Sequence, residues 1–232
     1  MTDAKSVAGV DLDRVWLGVA AEVWRRRPGR IERSAIRVLR SPGLARALLT
    51  TPSLLVPWLI ASVVVLGAGV AATVGSGVSV VPLVAPAVAA AGIAYAYGPG
   101  IDPAYELSRS MAVSDRMVLL VRAVAVFGID AVIGVIASAA SASAVGLTFG
   151  WLLPMTAMSA LALATATVAR SANAGLAAGL AGWAITIVST RAATGAFSAA
   201  VTNSLLTVPY AAIGLCCAVI VVAVTRVSRG PA

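Results

Sequence analysis

Between Leu54 and Thr225 the chain consists of three long apolar blocks, Leu54 to Gly98, Met117 to Ala169 and Ala172 to Thr225, separated by charged punctuation. A helix needs about 20 apolar residues to cross the hydrocarbon core of a bilayer. Inside that core each backbone N–H and C=O must be satisfied without water, which leaves helices or closed barrels. Each block is about twice the length of one span, so each reads as a hairpin of two membrane helices. Breaks fall where hairpins need them: Gly75-Ser76-Gly77 in the first block, the small-residue stretch Ser141 to Gly150 in the second, and Arg191 to Asn203 in the third. The pattern predicts helices near residues 54–74, 79–98, 117–140, 150–169, 173–190 and 204–225. Composition agrees, with 60% of the 232 residues hydrophobic, 11% charged and a mean hydropathy of +0.97.

The fold class is therefore all-α, a polytopic membrane protein with six transmembrane helices. Residues 1–51 read as cytoplasmic and interfacial amphipathic helices, 52–226 as a six-helix transmembrane domain with a cytoplasmic segment at 99–116, and 227–232 as a cytoplasmic tail. Residues 1–51 do not resemble a cleavable signal peptide, because acidic and basic residues recur through Arg46.

Charge sets the orientation. With both termini in the cytoplasm, the basic residues ahead of the first span and Arg109, Arg116, Arg122, Arg170, Arg226 and Arg229 lie on or near the cytoplasmic side, and Arg191 alone of 17 falls outside. The external turns are then short, and contacts through loops are made from the cytoplasm. The net charge of +8 suits anionic lipid headgroups. The interleaved aromatics of a single-strand binder are absent, so no nucleic-acid partner is expected.

The residue inventory removes several chemistries. The chain has no His, which excludes Ser-His and Cys-His catalysis, HExxH zinc sites and histidine haem ligation. Lys5 is the only Lys and follows no glycine-rich loop, so there is no Walker A phosphate cradle. Cys216 and Cys217 are adjacent within an apolar run, a spacing unsuited to zinc or an ordinary disulfide, and they read as small buried hydrophobes. No catalytic residue, metal or cofactor is expected.

Two cytoplasmic elements stand out. Asp11 to Arg27 carries Leu12, Val15, Trp16, Val19 and Val23 at three- and four-residue spacing, one apolar stripe on a helix that Pro28-Gly29 ends. Arg30 to Arg40 then places Arg30, Arg33, Arg37 and Arg40 along one side, with Ile31, Ile36, Val38 and Leu39 as apolar surface, a pattern suited to a helix in the headgroup plane. The second element joins the second and third spans. Pro99 and Gly100 stop one helix, Asp102-Pro103 can start a short one over about 103–111, and Ser114 can cap the next. Ordinary connections are far shorter, so this punctuated, charged insertion is a candidate docking surface.

The basic interfacial helix, the Arg40-Ser41-Pro42 entry, two spans and then Glu106-Leu107 through Ala112-Val113-Ser114-Asp115-Arg116 to Leu119-Leu120 and Arg122 together resemble the ABC-2 type permeases of ATP-binding-cassette exporters. Leu107-Ser108 stand where that family carries Gly-Thr. The stretch Tyr97 to Leu107 also resembles actinobacterial six-span proteins in which a zinc-binding anti-sigma domain precedes the membrane part. Such a domain needs His and Cys ligands, which are missing before Cys216. The resemblance implies a permease subunit in the bacterial plasma membrane, paired with a separate ABC ATPase chain and with a second permease copy or a homologous permease. It further implies export of an apolar or amphipathic cargo at the expense of the partner's ATP. By the same resemblance Asp102, Tyr105, Glu106, Arg109, Asp115 and Arg116 couple to the ATPase, while Trp16, Arg30, Arg33, Arg37 and Arg40 belong to the interfacial helices. The alternative is a non-transporting scaffold or regulator that recruits a cytoplasmic partner.

Asp130 is the only acidic residue inside an expected span, about 12 Å along the helix from Arg122. An ionisable group at that depth is costly and faces the bundle interior or a water-filled cavity, so Asp130 is a candidate site. No second intramembrane carboxylate accompanies it, which argues against a proton relay and an intramembrane enzyme. Gly175-x-x-x-Gly179 permits close helix packing or dimerisation. Pro82, Pro86, Pro154 and Pro209 are kink positions, and Trp151, Tyr95 and Tyr97 suit the membrane interfaces.

Overall fold

A computed structural model describes residues 14–18, 29–40, 42, 45, 52–97, 115–141 and 149–227. These residues are helices and the turns between them, with no strand among them. The chain divides into two units, Met1–Arg46 and Ala47–Ala232.

In the first unit residues 14–18 are helical, and Trp16 is 70% exposed, with Val15 and Leu17 also exposed. Helix α1, Arg30–Leu39, starts beyond Gly29, whose carbonyl accepts from Arg33 N at 2.9 Å. Glu32 in its first turn and Arg37 in its last both complement the helix dipole. At 100° per residue Arg30, Arg33 and Arg37 fall within an arc of about 60°, and all three are exposed. The expected fourth member of the row, Arg40, is not in the helix. It adopts the left-handed conformation at φ 49° and ends α1 as its C-cap.

Among the described residues the second unit holds six long apolar helices: α2 Pro52–Ser76, α3 Val81–Ala96, α4 Asp115–Ala140, α5 Leu152–Ala169, α6 Ala172–Thr194 and α7 Thr207–Val227. Among the described residues five stretches are long and apolar enough to cross a membrane, Pro57–Ser76, Met117–Ala140, Leu152–Ala169, Ala172–Thr194 and Ser204–Arg226. Helix α3 has 16 residues and spans about 24 Å, short of the ~30 Å hydrocarbon core. Its start is fixed by a clamped turn. Gly77 takes φ +70° and donates to the Thr73 carbonyl at 2.9 Å, while the Thr73 hydroxyl donates to Gly69 O at 2.8 Å and accepts from Val80 N at 3.0 Å. Pro82, in the first turn of α3, leaves no helical N–H unsatisfied there.

The core lies along α5, which packs against α3, α6 and α7. Met155, Ala157, Met158, Ala162 and Ala166 of α5 are buried with Val81, Ala85, Ala89, Ala90 and Ala94 of α3. Trp151, just ahead of α5, is fully buried, and its ring lies where a Cβ on Gly134 of α4 would stand.

Small residues let the backbones approach. A Cβ on Gly175 would lie 2.5 Å from the Ala162 carbonyl oxygen and 2.7 Å from Ala166 Cβ, and one on Gly179 would lie 2.9 Å from Ala90 Cβ. The Gly175-x-x-x-Gly179 pattern is thus taken up by packing within the chain, of α6 on α5 and α3. One turn on, the Trp183 indole N–H donates to Leu83 O of α3 at 2.6 Å. Pro86, within α3, has no N–H for the carbonyl before Leu83, so this turn of α3 is short of one internal bond.

The connection between α6 and α7 differs from the sequence expectation at both ends. Helix α6 continues past Arg191 to Thr194 and stops at Gly195, φ +77°, whose N–H donates to Arg191 O at 2.7 Å. The Arg191 guanidinium stacks 4.0 Å over the Phe197 ring, which gives this outlying charge an aromatic face at the helix end. The last helix starts at Thr207 rather than 204, because Asn203 accepts from Leu205 N at 3.0 Å and holds Ser204–Leu206 as a 3-10 turn. The Tyr210 hydroxyl, buried, donates to Ala200 O at 2.7 Å and fastens the short helix Ala199–Thr202, which precedes that turn, to α7. Between α5 and α6 only Arg170, left-handed at φ 51°, and Ser171 intervene, and Ser171 caps α6 by accepting from Ala174 N at 3.4 Å.

The outer faces are apolar. Ile60, Val63 and Val64 of α2, Val124, Val132 and Ile136 of α4, Ile185 and Val188 of α6, and Leu215 and Val219 of α7 are all exposed. Of the two cysteines, Cys217 is buried as expected, but Cys216 is exposed: consecutive residues on a helix lie 100° apart and cannot share one face.

Candidate functional site

On α4 the buried positions recur as Val118, Arg122, Val126, Asp130, Gly134 and Ser138, every fourth residue, with Ala123 and Ala137 beside them. Asp130 therefore falls on the inward stripe and is 2% exposed. Helix α2 has a matching stripe of Ser62, Leu66, Gly69 and Thr73, preceded one turn earlier by half-buried Trp58. Residues four apart share a helix face, so Trp58 and Ser62 point the same way.

The two stripes meet at Asp130. The Trp58 indole N–H and the Ser62 hydroxyl are the donors turned to its carboxylate, in contacts looser than well-formed hydrogen bonds. Trp58 Nε1, Ser62 Oγ and both carboxylate oxygens are all sealed from solvent. Gly92 of α3 forms the floor. A Cβ there would stand 3.1 Å from Asp130 Oδ2 and 3.0 Å from Val126 Cγ1, and would collide with Trp58 Nε1. Only glycine leaves room for the indole edge at this point. Helices α2, α3 and α4 thus converge on one buried carboxylate.

The chemistry of this cluster is acceptance of hydrogen bonds. A carboxylate accepts at both oxygens, an indole N–H only donates, and a serine hydroxyl does either. No group of three His, Cys, Asp or Glu side chains comes together among the described residues. Arg122 lies on the same stripe, two turns away and 9% exposed. Elsewhere in the core Ser138 Oγ, Trp151 Nε1 and Ser159 Oγ are buried without hydrogen-bond partners.

Of the residues singled out in sequence, Asp130 is the one brought into a defined cluster. Asp115 and Arg116 open α4. Trp16 lies in the 14–18 helical stretch, and Arg30, Arg33, Arg37 and Arg40 lie on or at the end of α1. Asp102, Tyr105, Glu106 and Arg109, with the expected short helix over 103–111, lie outside the described residues. Trp58, Ser62 and Gly92 were not singled out in the sequence. Their available signals were a Trp and a Ser one turn apart on a span and a lone glycine in the alanine run 88–94.

Apolar helices of spanning length, apolar outward faces and a polar cluster enclosed between helices define a multi-pass helical membrane protein. Compared with protein families, curated proteins and solved structures, the chain matches none of them.

Proposed function

We propose that this chain is the membrane-spanning permease subunit of an ABC-2 type exporter in a bacterial plasma membrane. The observation that carries this proposal is the stretch Glu106 to Arg122, with its family-like order of Glu, Val-Ser-x-Arg and basic residue, which runs from between two apolar segments into the first turns of α4. The basic row of α1 ahead of the first apolar helix supports it.

In this proposal α3 is the sixth span, its shortness met by local thinning of the bilayer and by Tyr95 and Tyr97 near its end. Both termini are cytoplasmic, as the bias of basic residues requires. Arg30, Arg33 and Arg37 hold α1 against anionic headgroups as an interfacial amphipathic helix. The segment 99–116 docks on a separate ABC ATPase, with Glu106 and Arg109 supplying charge at the contact. Closure of the ATPases is passed through Asp115 and Arg116 directly into α4, since these residues are its first turn. A second permease copy completes the pathway, and the apolar character of the bundle favours an apolar or amphipathic cargo.

The test is recovery of the tagged chain from native membranes in mild detergent, with identification of co-purifying chains and an ATPase assay. A Walker A subunit that is lost when Glu106 and Arg109 are reversed in charge supports the permease. Recovery of a different cytoplasmic partner without ATPase activity, under conditions that keep other transporters intact, rejects it in favour of a scaffold.

A further inference from the structure

Helix α2 is one-sided. Its inward stripe is narrow, and Leu59, Ile60, Val63, Val64, Val65 and Val74 are exposed along the rest of it. Its packing is mainly with α3 and α4, and is sparser than that of α3, α5 and α6 on one another. At its far end it is tied to α3 by the Thr73 clamp on the turn. Toward its start the polar contact is the cluster of Trp58, Ser62 and Asp130 over Gly92.

We infer that this cluster is a latch that fixes the first half of α2 against α3 and α4, with Asp130 as the acceptor. Three features carry the inference. The donors come from α2 and the acceptor from α4, so the contact joins helices rather than capping one. The carboxylate is sealed, so its acceptor capacity is met from within the bundle or not at all. Gly92 is open at this point, so that the indole reaches the carboxylate over the α3 backbone.

A bound cation is the competing role for a buried Asp and Ser. The indole argues against it: its N–H presents the positive end of a dipole to the carboxylate, in the place a cation would occupy. Asp130 is thus a positioning residue, and nothing in the inference depends on what the chain transports or on which partner it has.

The experiment is distance measurement between spin labels on the full chain in lipid nanodiscs, with Cys216 and Cys217 replaced by Ala. One label pair joins α2 to α6, at Val64 and Ile185; a control pair joins α6 to α7, at Ile185 and Val219. All three positions are exposed. In Asp130→Ala and Trp58→Phe the α2 distance is expected to lengthen or broaden by about 5 Å, the scale of a one-turn helix shift, with the control pair unchanged. Asp130→Asn, whose amide oxygen still accepts from the indole, is expected to keep the parent distance. An unchanged α2 distance in both Asp130→Ala and Trp58→Phe overturns the latch, as does equal broadening in both label pairs. A shift of the α2 distance in the parent protein when sodium replaces choline overturns it in favour of a cation site. Should Asp130→Ala not be recoverable in folded form, Trp58→Phe and Ser62→Ala decide between the same outcomes.

Discussion

Gly175→Ala tests the close crossing of α5 and α6. The added methyl would stand 2.5 Å from the Ala162 carbonyl oxygen and 2.7 Å from Ala166 Cβ, where ordinary contact begins at 3.4 Å. One obstacle is a backbone atom and the other a Cβ, neither able to rotate away, so α5 and α6 must part by about 1 Å to restore contact distance. Overpacking of this kind costs about 1–3 kcal/mol. Alanine returns up to ~1 kcal/mol through helix propensity. The net expectation is a loss of about 1–2 kcal/mol, a factor of roughly 5–30 in the folded-to-unfolded ratio. Two other helical glycines calibrate it. Gly182→Ala meets only the flexible ends of Leu161 at 3.0 Å and Met158 at 3.4 Å, and is expected to be near neutral. Gly128→Ala meets nothing within 4 Å and is expected to gain between zero and ~1 kcal/mol. Reversible unfolding in mixed micelles, titrated with a denaturing detergent, ranks the three. Equal stability of Gly175→Ala and Gly128→Ala would refute the close crossing of α5 and α6.

Further outcomes follow from single contacts. Trp183→Phe removes the bond to the Leu83 carbonyl and is expected to cost about 1 kcal/mol in the same assay, without loss of the fold. Tyr210→Phe deletes a buried bond of similar worth to Ala200 O, and hydrogen exchange of the 199–206 amides is expected to rise with it. Arg191→Ala gives up an exposed stacking contact worth about 0.5–1 kcal/mol and, in the proposed topology, leaves the orientation in the membrane unchanged, since that topology rests on the other basic residues. Cysteine-accessibility mapping that showed inverted topology in this variant would contradict that assignment. Gly92→Ala is expected to displace the Trp58 indole, visible as a shift in tryptophan emission absent from Gly128→Ala.

The helices were legible because uninterrupted apolar blocks long enough for two ~20-residue spans suit helices rather than short barrel strands, and Gly77, Ser171 and Gly195 mark their own turns. What misled the boundaries was local chemistry. Arg191 reads as the end of a span, yet an arginine at a helix terminus can lie along Phe197 and let the helix run on. Residues 204–206 read as the start of the last span, and the spanning stretch does run Ser204–Arg226, but the Asn203 side chain captures Leu205 N and winds that first turn as 3-10 rather than α. Asp130 was recognisable as a site from its charge alone. Its partners were not, because Trp58 and Gly92 reach it from other helices, and which faces turn inward is decided by tertiary packing, of α2 on α3 and α4 and of α3 on α5. The glycine pair on α6 was equally ambiguous, since small-residue spacing suits a contact within a chain or between chains, and only the position of Ala162 and Ala90 decides.

Gly175, Gly179 and Trp183 form a single ridge on α6, one turn apart, meeting in order the Ala162 carbonyl, the Ala90 methyl and the Leu83 carbonyl. This seam has no slack: its contacts are backbone, Cβ or a short hydrogen bond, and a sliding of one turn would drive Trp183 into the space left for glycine. Helices α3, α5 and α6 are therefore locked in register with one another, and in the proposed exporter any working stroke falls to the helices around them.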